Sequence, residues 1–328
     1  MINLLILGLE HVHARHYLER LKQMADVRVV AVAEADSHRL QALSECLQTT
    51  PVYTDYQKML SEVSADGAIV CSANAKHKDM VKTCARAGIP ILCEKPIATK
   101  TADAREMLAI CEAHEVPLGV CFPARFSEAL GQAKHLIGQG AIGTVVAVKA
   151  TNQGTMPGDW FVDPELAGGG AIMDHTVHVV DALRWLFKAE FTQVFGHASN
   201  QLYNLQVEDT GLLSLEMSNE VIVTLDTSWS RPNRSYPIWG NVSLTIVGTQ
   251  GVLNLELFPW TLNHYSEEAG RHLVISRDGD LSGLLLGNFI DALGSGTAVA
   301  PDGVDGLRAL EVVEAAYQSV SSGKAVAL

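Results

Sequence analysis

Three side chains of the sequence are of the types that move protons: Lys95, Asp174 and His178. An imidazole titrates near neutral pH, and an ammonium group beside another cation can have its pKa lowered far enough to share in proton transfer. Asp174 and His178 stand four residues apart, so a helix would place both on one face. Asp181 follows His178 by three residues and is predicted near the same face. These residue types and spacings suit general acid–base chemistry.

Each of these residues also has a simpler interpretation. Lys95 fits an ordinary surface lysine at a strand end, with Pro96 shaping the turn that follows. Asp174 fits a helix cap after the glycines at 168–170. The residues alone leave both interpretations open.

A metal site is a third interpretation, because Asp174, His175 and His178 have side chains of metal-ligand types. On an ideal helix, however, His175 points about 100° away from Asp174. The remaining ligands would have to come from elsewhere, for example from His77. We therefore predict no metal in this protein.

A second candidate site lies near the N-terminus, where an apolar run ends in Gly8. A glycine turn between a strand and a helix lets backbone N–H groups approach a pyrophosphate at the positive end of that helix. The turn reads GLEHVH, so only the first of the three fingerprint glycines is present. Glu10 replaces the second, and its carboxylate opposes pyrophosphate unless it turns away or bonds to a ribose hydroxyl. The residues predicted to bind the cofactor here are Gly8, Leu9, Glu10, His11 and Val12.

An acidic residue about 20 residues beyond the glycine turn of a dinucleotide fold accepts hydrogen bonds from the ribose diol. Glu34, at the end of the second apolar run, is placed for that role. Its charge would repel a 2′-phosphate, so the sequence favours NAD over NADP. Arg39 lies close in the sequence and keeps NADP possible. Alternatively, Glu34 or Asp36 is a charge at the start of a helix.

The order of elements predicts how these residues are positioned. Up to about residue 125, short apolar runs such as Val27–Ala33 and Ile91–Cys93 alternate with amphipathic helical stretches, which is typical of parallel strands covered on both faces. Farther on, several strands alternate apolar and polar residues, which is typical of antiparallel sheets. We predict an α/β protein. Residues 1–122 form a doubly wound parallel (Rossmann) sheet that binds a dinucleotide, and residues 123–328 form an α+β domain with a large, mostly antiparallel open sheet.

The composition excludes several kinds of partner. The 328 residues carry a formal net charge of −13, and nucleic-acid binding needs a basic face. No apolar run approaches the roughly 20 residues of a membrane span. The N-terminus lacks the basic start and cleavage site of a signal peptide, and the cysteines form no close CxxC pair. We predict a cytoplasmic protein with buried free thiols that binds neither nucleic acid nor membrane.

Two motifs carry a family resemblance. Glu94-Lys95-Pro96 follows a buried strand, and GGGAIMDHTVHVVD occupies residues 168–181. Together with SANAKHKDMVKTCARAGIPILCEKPIA and LIGQGAIGTVVAV, they resemble the glucose–fructose oxidoreductase / inositol dehydrogenase / rhizopine-catabolism (Gfo/Idh/MocA) family. The family's usual glycine between the aspartate and the histidine is Thr176 here, preceded by His175. Pro123-Ala124 stands where the family commonly has a polar residue before Arg125.

The resemblance implies an NAD(P)-dependent oxidoreductase that transfers a hydride between nicotinamide and a hydroxyl-bearing carbon of a sugar, polyol, cyclitol or related acid. His178 would take the alcohol proton, Lys95 would stabilise the alkoxide, and Asp174 would orient His178 or hold a hydroxyl. The C-terminal sheet would form a homodimer or homotetramer. Further cofactor residues implied are Cys71, Ser72, Asn74, His77, Glu94 and Lys95. The substrate residues implied are Lys95, Arg125, Gln153, Trp160, Asp174 and His178.

Two alternative functions fit parts of the sequence. A non-catalytic dinucleotide- or sugar-binding regulator of the same fold is favoured by Glu10 and His13 in the cofactor loop. A metal-dependent enzyme would use Asp174, His175 and His178.

Overall fold

The computed structural model describes residues 1–236, 238–258, 260–266, 271–277 and 280–328, and the side chains among them outside 258–279. The chain folds into two compact units. The first comprises Met1–Phe122, Gly158–Gly169 and Ser282–Glu311, and the second comprises Pro123–Pro157, Gly170–Leu281 and Val312–Leu328. The first unit thus takes in two later segments that a single division after residue 122 does not assign to it. The functions predicted for the two domains stay predictions.

The strands and helices of the described residues are numbered in chain order. The strands are β1 Ile2–Leu7, β2 Val27–Ala33, β3 Val52–Tyr53, β4 Gly67–Val70, β5 Ile91–Cys93, β6 Leu118–Val120, β7 Val145–Gly154, β8 Phe191–Ser199, β9 Thr210–Met217, β10 Ile222–Asp226, β11 Gly240–Gly248, β12 Gly251–Phe258, β13 Trp260–Ser266, β14 Arg271–Arg277 and β15 Val326–Ala327. The helices are α1 Ala14–Leu21, α2 Ser37–Ala42, α3 Ser44–Leu47, α4 Tyr56–Glu62, α5 His77–Arg86, α6 Thr101–Ala113, α7 Glu128–Gly138, α8 Pro164–Ala167, α9 Ala171–Phe187, α10 Leu281–Ser295 and α11 Gly303–Ser322.

The first unit contains a parallel sheet with the order β3-β2-β1-β4-β5-β6. Every residue of β4, β5 and β6 is buried, which explains why these strands are apolar throughout rather than alternating. The strand order reverses between β1 and β4, and ligands of open α/β sheets bind beyond the carboxyl ends of the strands at such a point. The predicted doubly wound sheet is confirmed, and it brings the loops after β1 and β4 together.

The later segment 282–311 completes the first unit. The N–H group of Val120 donates to the backbone oxygen of Pro301 at 3.0 Å. A Cβ atom on Gly67 would lie 3.3 Å from the ring of Phe289, which is itself 1% exposed. Residues from α10 and the loop after it therefore pack directly against the strands of this sheet.

The second unit contains a sheet with the order β12-β11-β7-β10-β9-β8-β15, in which only the β7–β10 pair is parallel among the pairings described. Buried and exposed residues alternate along β9, β10 and β11, so one face is covered. Helix α9 packs on β7 and β9 of the covered face. The predicted mostly antiparallel sheet is confirmed, and the predicted assembly through it stays a prediction.

Two expectations from composition concern the whole chain. All six cysteines are buried free thiols, as predicted. Among the described residues, no helix combines the length and the apolar character that crossing a bilayer requires. The predicted cytoplasmic location stays a prediction.

Candidate active site

Helix α9 carries two of the residues predicted to do acid–base chemistry. Between Ala171 and Leu183, every side chain is buried except those of Asp174 and His178, which are partly exposed. Because these two are four residues apart, they lie on the same face, one turn from each other. Both predicted residues therefore share the accessible strip of an otherwise buried segment.

Gly170, the last of the three glycines before α9, allows the start of this helix to lie against the backbone of Glu208. A Cβ atom on Gly170 would lie 2.0 Å from the Glu208 backbone oxygen, and the Ala171 N–H donates to that oxygen at 2.9 Å. The side-chain Oε1 of Glu208 accepts from the N–H groups of Gly170 (3.0 Å) and Ile172 (2.9 Å). These bonds satisfy donors at the helix start that have no partner within the helix.

Glu208 is also held by a residue of α11. The Tyr317 hydroxyl donates to Glu208 Oε1 at 2.8 Å. Burial raises the pKa of Glu208 above its ordinary value, although the hydroxyl and the helix N–H groups favour the charged form. Glu208 therefore positions the start of the helix that carries Asp174 and His178.

The Asp174 carboxylate is fixed by two neighbours. Trp229, which is fully buried, donates its Nε1–H to Asp174 Oδ2 at 3.2 Å. His175 Nε2 lies 3.2 Å from the same oxygen, and His175 Nδ1 lies 2.9 Å from the Thr227 backbone oxygen. A neutral imidazole has one N–H and cannot donate to two acceptors at once. Both contacts are hydrogen bonds at once only when both ring nitrogens of His175 carry protons.

The geometry does not support the alternative metal site on this helix. His175 directs one ring nitrogen at a backbone oxygen and the other at Asp174. Within the described part of the chain, Asp174, His175 and His178 do not converge as a group of three ligand atoms.

Asp181 lies farther along α9 and is fully buried. It accepts two hydrogen bonds from Arg125, from Nε to Oδ2 at 2.8 Å and from Nη2 to Oδ1 at 2.6 Å. A bidentate pair of this kind fixes the guanidinium in place. Asp181 was predicted near the face of Asp174 and His178, but unlike those two partly exposed residues it is buried, with its carboxylate enclosed by Arg125. Arg125, a predicted substrate residue, thereby joins the 3₁₀ turn at Pro123–Phe126 to α9.

Gln153, another predicted substrate residue, lies on β7 in a polar network. Its Nε2 donates to Asp226 Oδ2 at 2.7 Å, and its Oε1 accepts from Arg231 Nη2 at 2.7 Å. Arg231 also donates from Nε and Nη2 to Asn241 Oδ1, at 3.1 and 2.6 Å. These half-buried groups form a polar strip, which we define by Gln153, Asp226, Arg231 and Asn241.

In the first unit, Lys95 lies two residues beyond the end of β5 and is 4% exposed. Its backbone N–H donates to Glu94 Oε2 at 3.1 Å, and the Lys95–Pro96 peptide bond is cis. Fully buried His77 ties this turn to β4, with Nδ1 3.0 Å from the Pro96 oxygen and Nε2 3.1 Å from the Ser72 oxygen. Burial lowers the pKa of His77 and outweighs the carbonyl contacts and the charge of Glu94, which act in the opposite direction.

The Glu10 carboxylate is engaged by groups around the loop after β1. Its Oε2 accepts from the Ala73 N–H at 2.9 Å, and its Oε1 pairs with Lys76 and lies 3.7 Å from Arg39 Nη1. The Trp160 Nε1–H donates to the Glu10 backbone oxygen at 2.9 Å. Trp160, a predicted substrate residue, is therefore packed against the cofactor loop within the first unit.

The rest of this loop is set by backbone contacts with the end of β4. Gly8 has a φ of 80°, and a Cβ atom there would lie 2.8 Å from Ser72 Cβ. The His11 N–H donates to the Cys71 backbone oxygen at 3.1 Å. Burial raises the pKa of the Cys71 thiol well above its ordinary value, so this side chain is a neutral part of the core. Val12 is 62% exposed.

The ends of β2 and β4 fit a bound dinucleotide. Glu34 accepts from the N–H groups of Leu9 (2.8 Å) and Asp36 (2.9 Å), and each carboxylate oxygen keeps a second lone pair for a hydroxyl. Buried Asn74 donates to the Ala167 oxygen at 2.9 Å, while its Oδ1 has no hydrogen-bond partner among the described residues. A buried acceptor without a partner suits an N–H or O–H group of a ligand.

Comparison with known families matches both halves of the chain. A model of the oxidoreductase family with an NAD-binding Rossmann fold matches residues 2–122, and a model of the GFO/IDH/MocA C-terminal domain matches residues 130–254. The chain belongs to the Gfo/Idh/MocA family. As a member of this family it is an oxidoreductase with an NAD-binding Rossmann domain, so the predicted family, enzyme class and cofactor NAD are confirmed.

Individual relatives of this Gfo/Idh/MocA protein are distant but cover it almost fully. Myo-inositol 2-dehydrogenase of Thermotoga maritima is 25% identical over 98% of this chain and 97% of its own. D-glucoside 3-dehydrogenase of Escherichia coli is 27% identical over 97% of this chain and 94% of its own. The solved structure of myo-inositol 2-dehydrogenase from Lactobacillus plantarum has a TM-score of 0.85 at 22% identity, covering 100% of this chain and 99% of that one, which shows a shared fold.

Several residues that position the candidate site residues of this Gfo/Idh/MocA protein could not be identified from the sequence. Glu208 bonds to a residue 38 positions away, and Trp229 to one 55 positions away. Hydrophobic periodicity reports which face a residue occupies, but not which distant partner it meets. Arg231 likewise lies in a loop without a motif. The sequence did offer a signal for a contact to Asp174, namely His175, an unexpected histidine directly after it.

We expect Glu208→Gln to change how stability depends on pH. The folded state raises the pKa of Glu208, so its contribution is present below the ordinary value of 4.5 and is lost as pH rises through the folded value. Glutamine cannot ionise. The free energy of unfolding of the wild type should therefore fall relative to the variant as pH rises from about 4.5 towards neutrality, as measured by urea unfolding.

The matched control is Glu216→Gln, an exposed glutamate on β9. Its difference from the wild type should stay nearly constant over the same pH range. Parallel pH curves for the wild type and Glu208→Gln would contradict a raised pKa at Glu208.

Proposed function

We propose that this protein transfers a hydride between NAD and a hydroxyl-bearing carbon of a polyol, cyclitol, sugar or related acid, with Lys95, Asp174 and His178 as its catalytic residues. The observation that carries the proposal is the accessible strip of α9, where Asp174 and His178 are the two partly exposed side chains in an otherwise buried segment. A carboxylate and an imidazole one turn apart can bind one hydroxyl and take a proton from another.

His178 accepts the proton of the substrate hydroxyl during oxidation and returns it during reduction. Asp174 holds a neighbouring hydroxyl, because its carboxylate is fixed by Trp229 and His175 and has lone pairs for further donors. NAD supplies the hydride acceptor at the reacting carbon when it is bound.

Lys95 stabilises the alkoxide that forms as the proton leaves. Lys95 is 4% exposed, and the attraction between opposite charges is stronger where water is excluded. An ammonium group carries three donors and no acceptor, so it favours the charged form of the substrate oxygen. In this proposal Lys95 lowers the energy of the alkoxide and His178 receives the proton.

Glu34 binds the adenosine ribose diol in this proposal and favours NAD over NADP. A 2′-phosphate would face its buried carboxylate. Arg39 offsets this little, because its guanidinium is shared among four carboxylates. It lies 3.3 Å from Asp36, 3.7 Å from Glu10 and from Asp159, and 4.0 Å from Glu34. Asn74 supplies the acceptor at the end of β4.

The names of the relatives support a polyhydroxylated substrate. One is a myo-inositol 2-dehydrogenase and another a D-glucoside 3-dehydrogenase. The polar strip offers both donors and acceptors, which a compound with several hydroxyl groups requires. We therefore propose a cyclitol or sugar ring as the substrate class.

The direct test is a screen of cyclitols and sugars for NAD reduction, repeated with Lys95→Ala. General acid–base and electrostatic groups contribute on the order of 10²- to 10⁴-fold, so kcat/KM should fall by that factor in the variant. Calorimetry should show that the variant still binds NAD, because Glu34 and the β1 loop are intact.

Lys78→Ala is the matched control, since Lys78 is a half-buried lysine paired with Asp103 on the neighbouring helix. It should retain full turnover. Failure of the wild type to bind NAD or NADP at millimolar concentration would refute the proposed function. Turnover that survives Lys95→Ala would remove Lys95 from it.

Glu10→Gln should tighten NAD binding about tenfold, equivalent to about 1.4 kcal/mol. The change removes a negative charge from the loop and releases Lys76 and Arg39 towards a bound pyrophosphate. Titration calorimetry at two salt concentrations measures the gain, which should shrink at high salt. Glu45→Gln, at an exposed site, is the control. Unchanged or weaker binding would show that the Glu10 carboxylate does not oppose the cofactor.

His175→Asn should lower kcat/KM by about 10- to 100-fold while NAD affinity stays unchanged. Asparagine has no imidazole nitrogen to hold the Asp174 carboxylate, which is therefore less well fixed. The pH profile should shift as well, because the variant has no ionisable ring 3.2 Å from that carboxylate. An unchanged pH profile in steady-state assays would show that His175 does not act through Asp174.

A further inference from the structure

Two histidines and a buried carboxylate converge in the first unit, apart from the residues assigned to catalysis. His13 Nδ1 lies 2.9 Å from Glu94 Oε1, and His11 Nδ1 lies 3.6 Å from the same oxygen. One ligand-type atom from each of the three residues lies within 4.8 Å of the other two. Among the described residues, no other set of three His, Cys, Asp or Glu side chains meets this criterion.

These distances match a tetrahedral metal centre. Zinc binds histidine nitrogen and carboxylate oxygen at about 2.0–2.1 Å, so two tetrahedral ligands lie about 3.3 Å apart. The measured separations of 2.9 and 3.6 Å fall on either side of that value. Small movements of the rings would therefore suffice to enclose an ion.

His11 Nδ1 faces the Glu94 carboxylate. The backbone N–H of His13 donates to this nitrogen at 3.3 Å, and Glu94 Oε1 lies 3.6 Å from it. A ring nitrogen and a carboxylate oxygen at this separation favour a positive charge between them, which either a metal ion or a proton supplies.

The surroundings hold the carboxylate in place and leave one route of entry. Glu94 is fully buried, and its second oxygen accepts the Lys95 N–H at 3.1 Å. The His11 ring packs against Trp160 and Phe161, with ring centroids 5.9 and 5.4 Å away. The His13 side chain is 34% exposed, so solvent reaches the cluster from that side.

We propose that His11, His13 and Glu94 bind a divalent transition-metal ion of the zinc class. Three protein ligands leave the fourth tetrahedral position for water or for an oxygen of a bound ligand. Glu94 supplies the negative charge, and the two neutral imidazoles suit a borderline-soft ion better than Mg²⁺ or Ca²⁺, which prefer oxygen ligands. The proposal does not depend on the proposed reaction.

A proton shared between His13 and Glu94 is the competing account of the same contacts. It predicts an ordinary ion pair that needs no metal. The two accounts differ in whether the full-length protein takes up an ion with a fixed stoichiometry.

The test starts from protein stripped with a chelator and dialysed. Titration calorimetry with Zn²⁺ should show one site per chain, and Co²⁺ should produce the intense visible absorption of tetrahedral coordination. His13→Ala should weaken Zn²⁺ binding by at least about tenfold and abolish the Co²⁺ spectrum. His13 is the preferred position because its partial exposure makes misfolding of the variant less of a risk than at buried Glu94, and its circular dichroism should match the wild type.

His114→Ala is the control, because His114 is an exposed histidine outside the cluster. It should keep both the stoichiometry and the spectrum. Wild-type protein that binds less than one Zn²⁺ per chain, or only with octahedral Co²⁺ absorption, would overturn the proposal. Equal loss of binding in the His13 and His114 variants would also overturn it, because it would indicate general surface binding.

Discussion

A carboxylate withdrawn from water is costly unless donors or cations replace the lost hydration, and this constraint shapes both units. Glu208 finds its donors at the start of α9, Asp181 finds Arg125 beside the same helix, and Glu94 lies next to the loop after β1. In each case the compensating group belongs to an element that carries candidate site residues. The contacts that make burial of these acids tolerable are therefore also those that orient the chemistry.

Sequence pattern was sufficient for the architecture, for reasons visible in particular strands. Residues Val27–Ala33 and Ile91–Cys93 were predicted as strands and form β2 and β5 with those bounds. Strand β5 is buried throughout and β2 over its last three residues, as strands covered on both faces of a parallel sheet are. The spacing of Asp174 and His178 placed both correctly on one helix face, since a period of 3.6 residues leaves no other arrangement in a helix of this length.

The same reasoning does not reach outcomes that depend on partners far away in the chain. Asp181 has the spacing of a site residue, yet a guanidinium 56 positions earlier encloses it. The charge of Glu10 was visible in the sequence, but its contacts with Lys76 and the Ala73 N–H were not. Local sequence pattern determines which face of a helix or strand a residue occupies. Hydrogen bonds to residues far away in the sequence determine which groups its side chain can still bind.

The composition of the first unit has a consequence for how the chain is made. Residues 282–311 supply Pro301 and Phe289 to the parallel sheet, and residues 158–169 supply Trp160 to its loop. A ribosome releases the chain from its N-terminus, so all six strands of the parallel sheet are made before the segments that complete the first unit, and nearly all of the second unit is synthesised in between. During that interval the strand backbone at Val120 and the apolar surface beside Gly67 face solvent or a chaperone. A gene fragment that ends at residue 122 encodes the motifs of a nucleotide-binding domain but lacks part of its core.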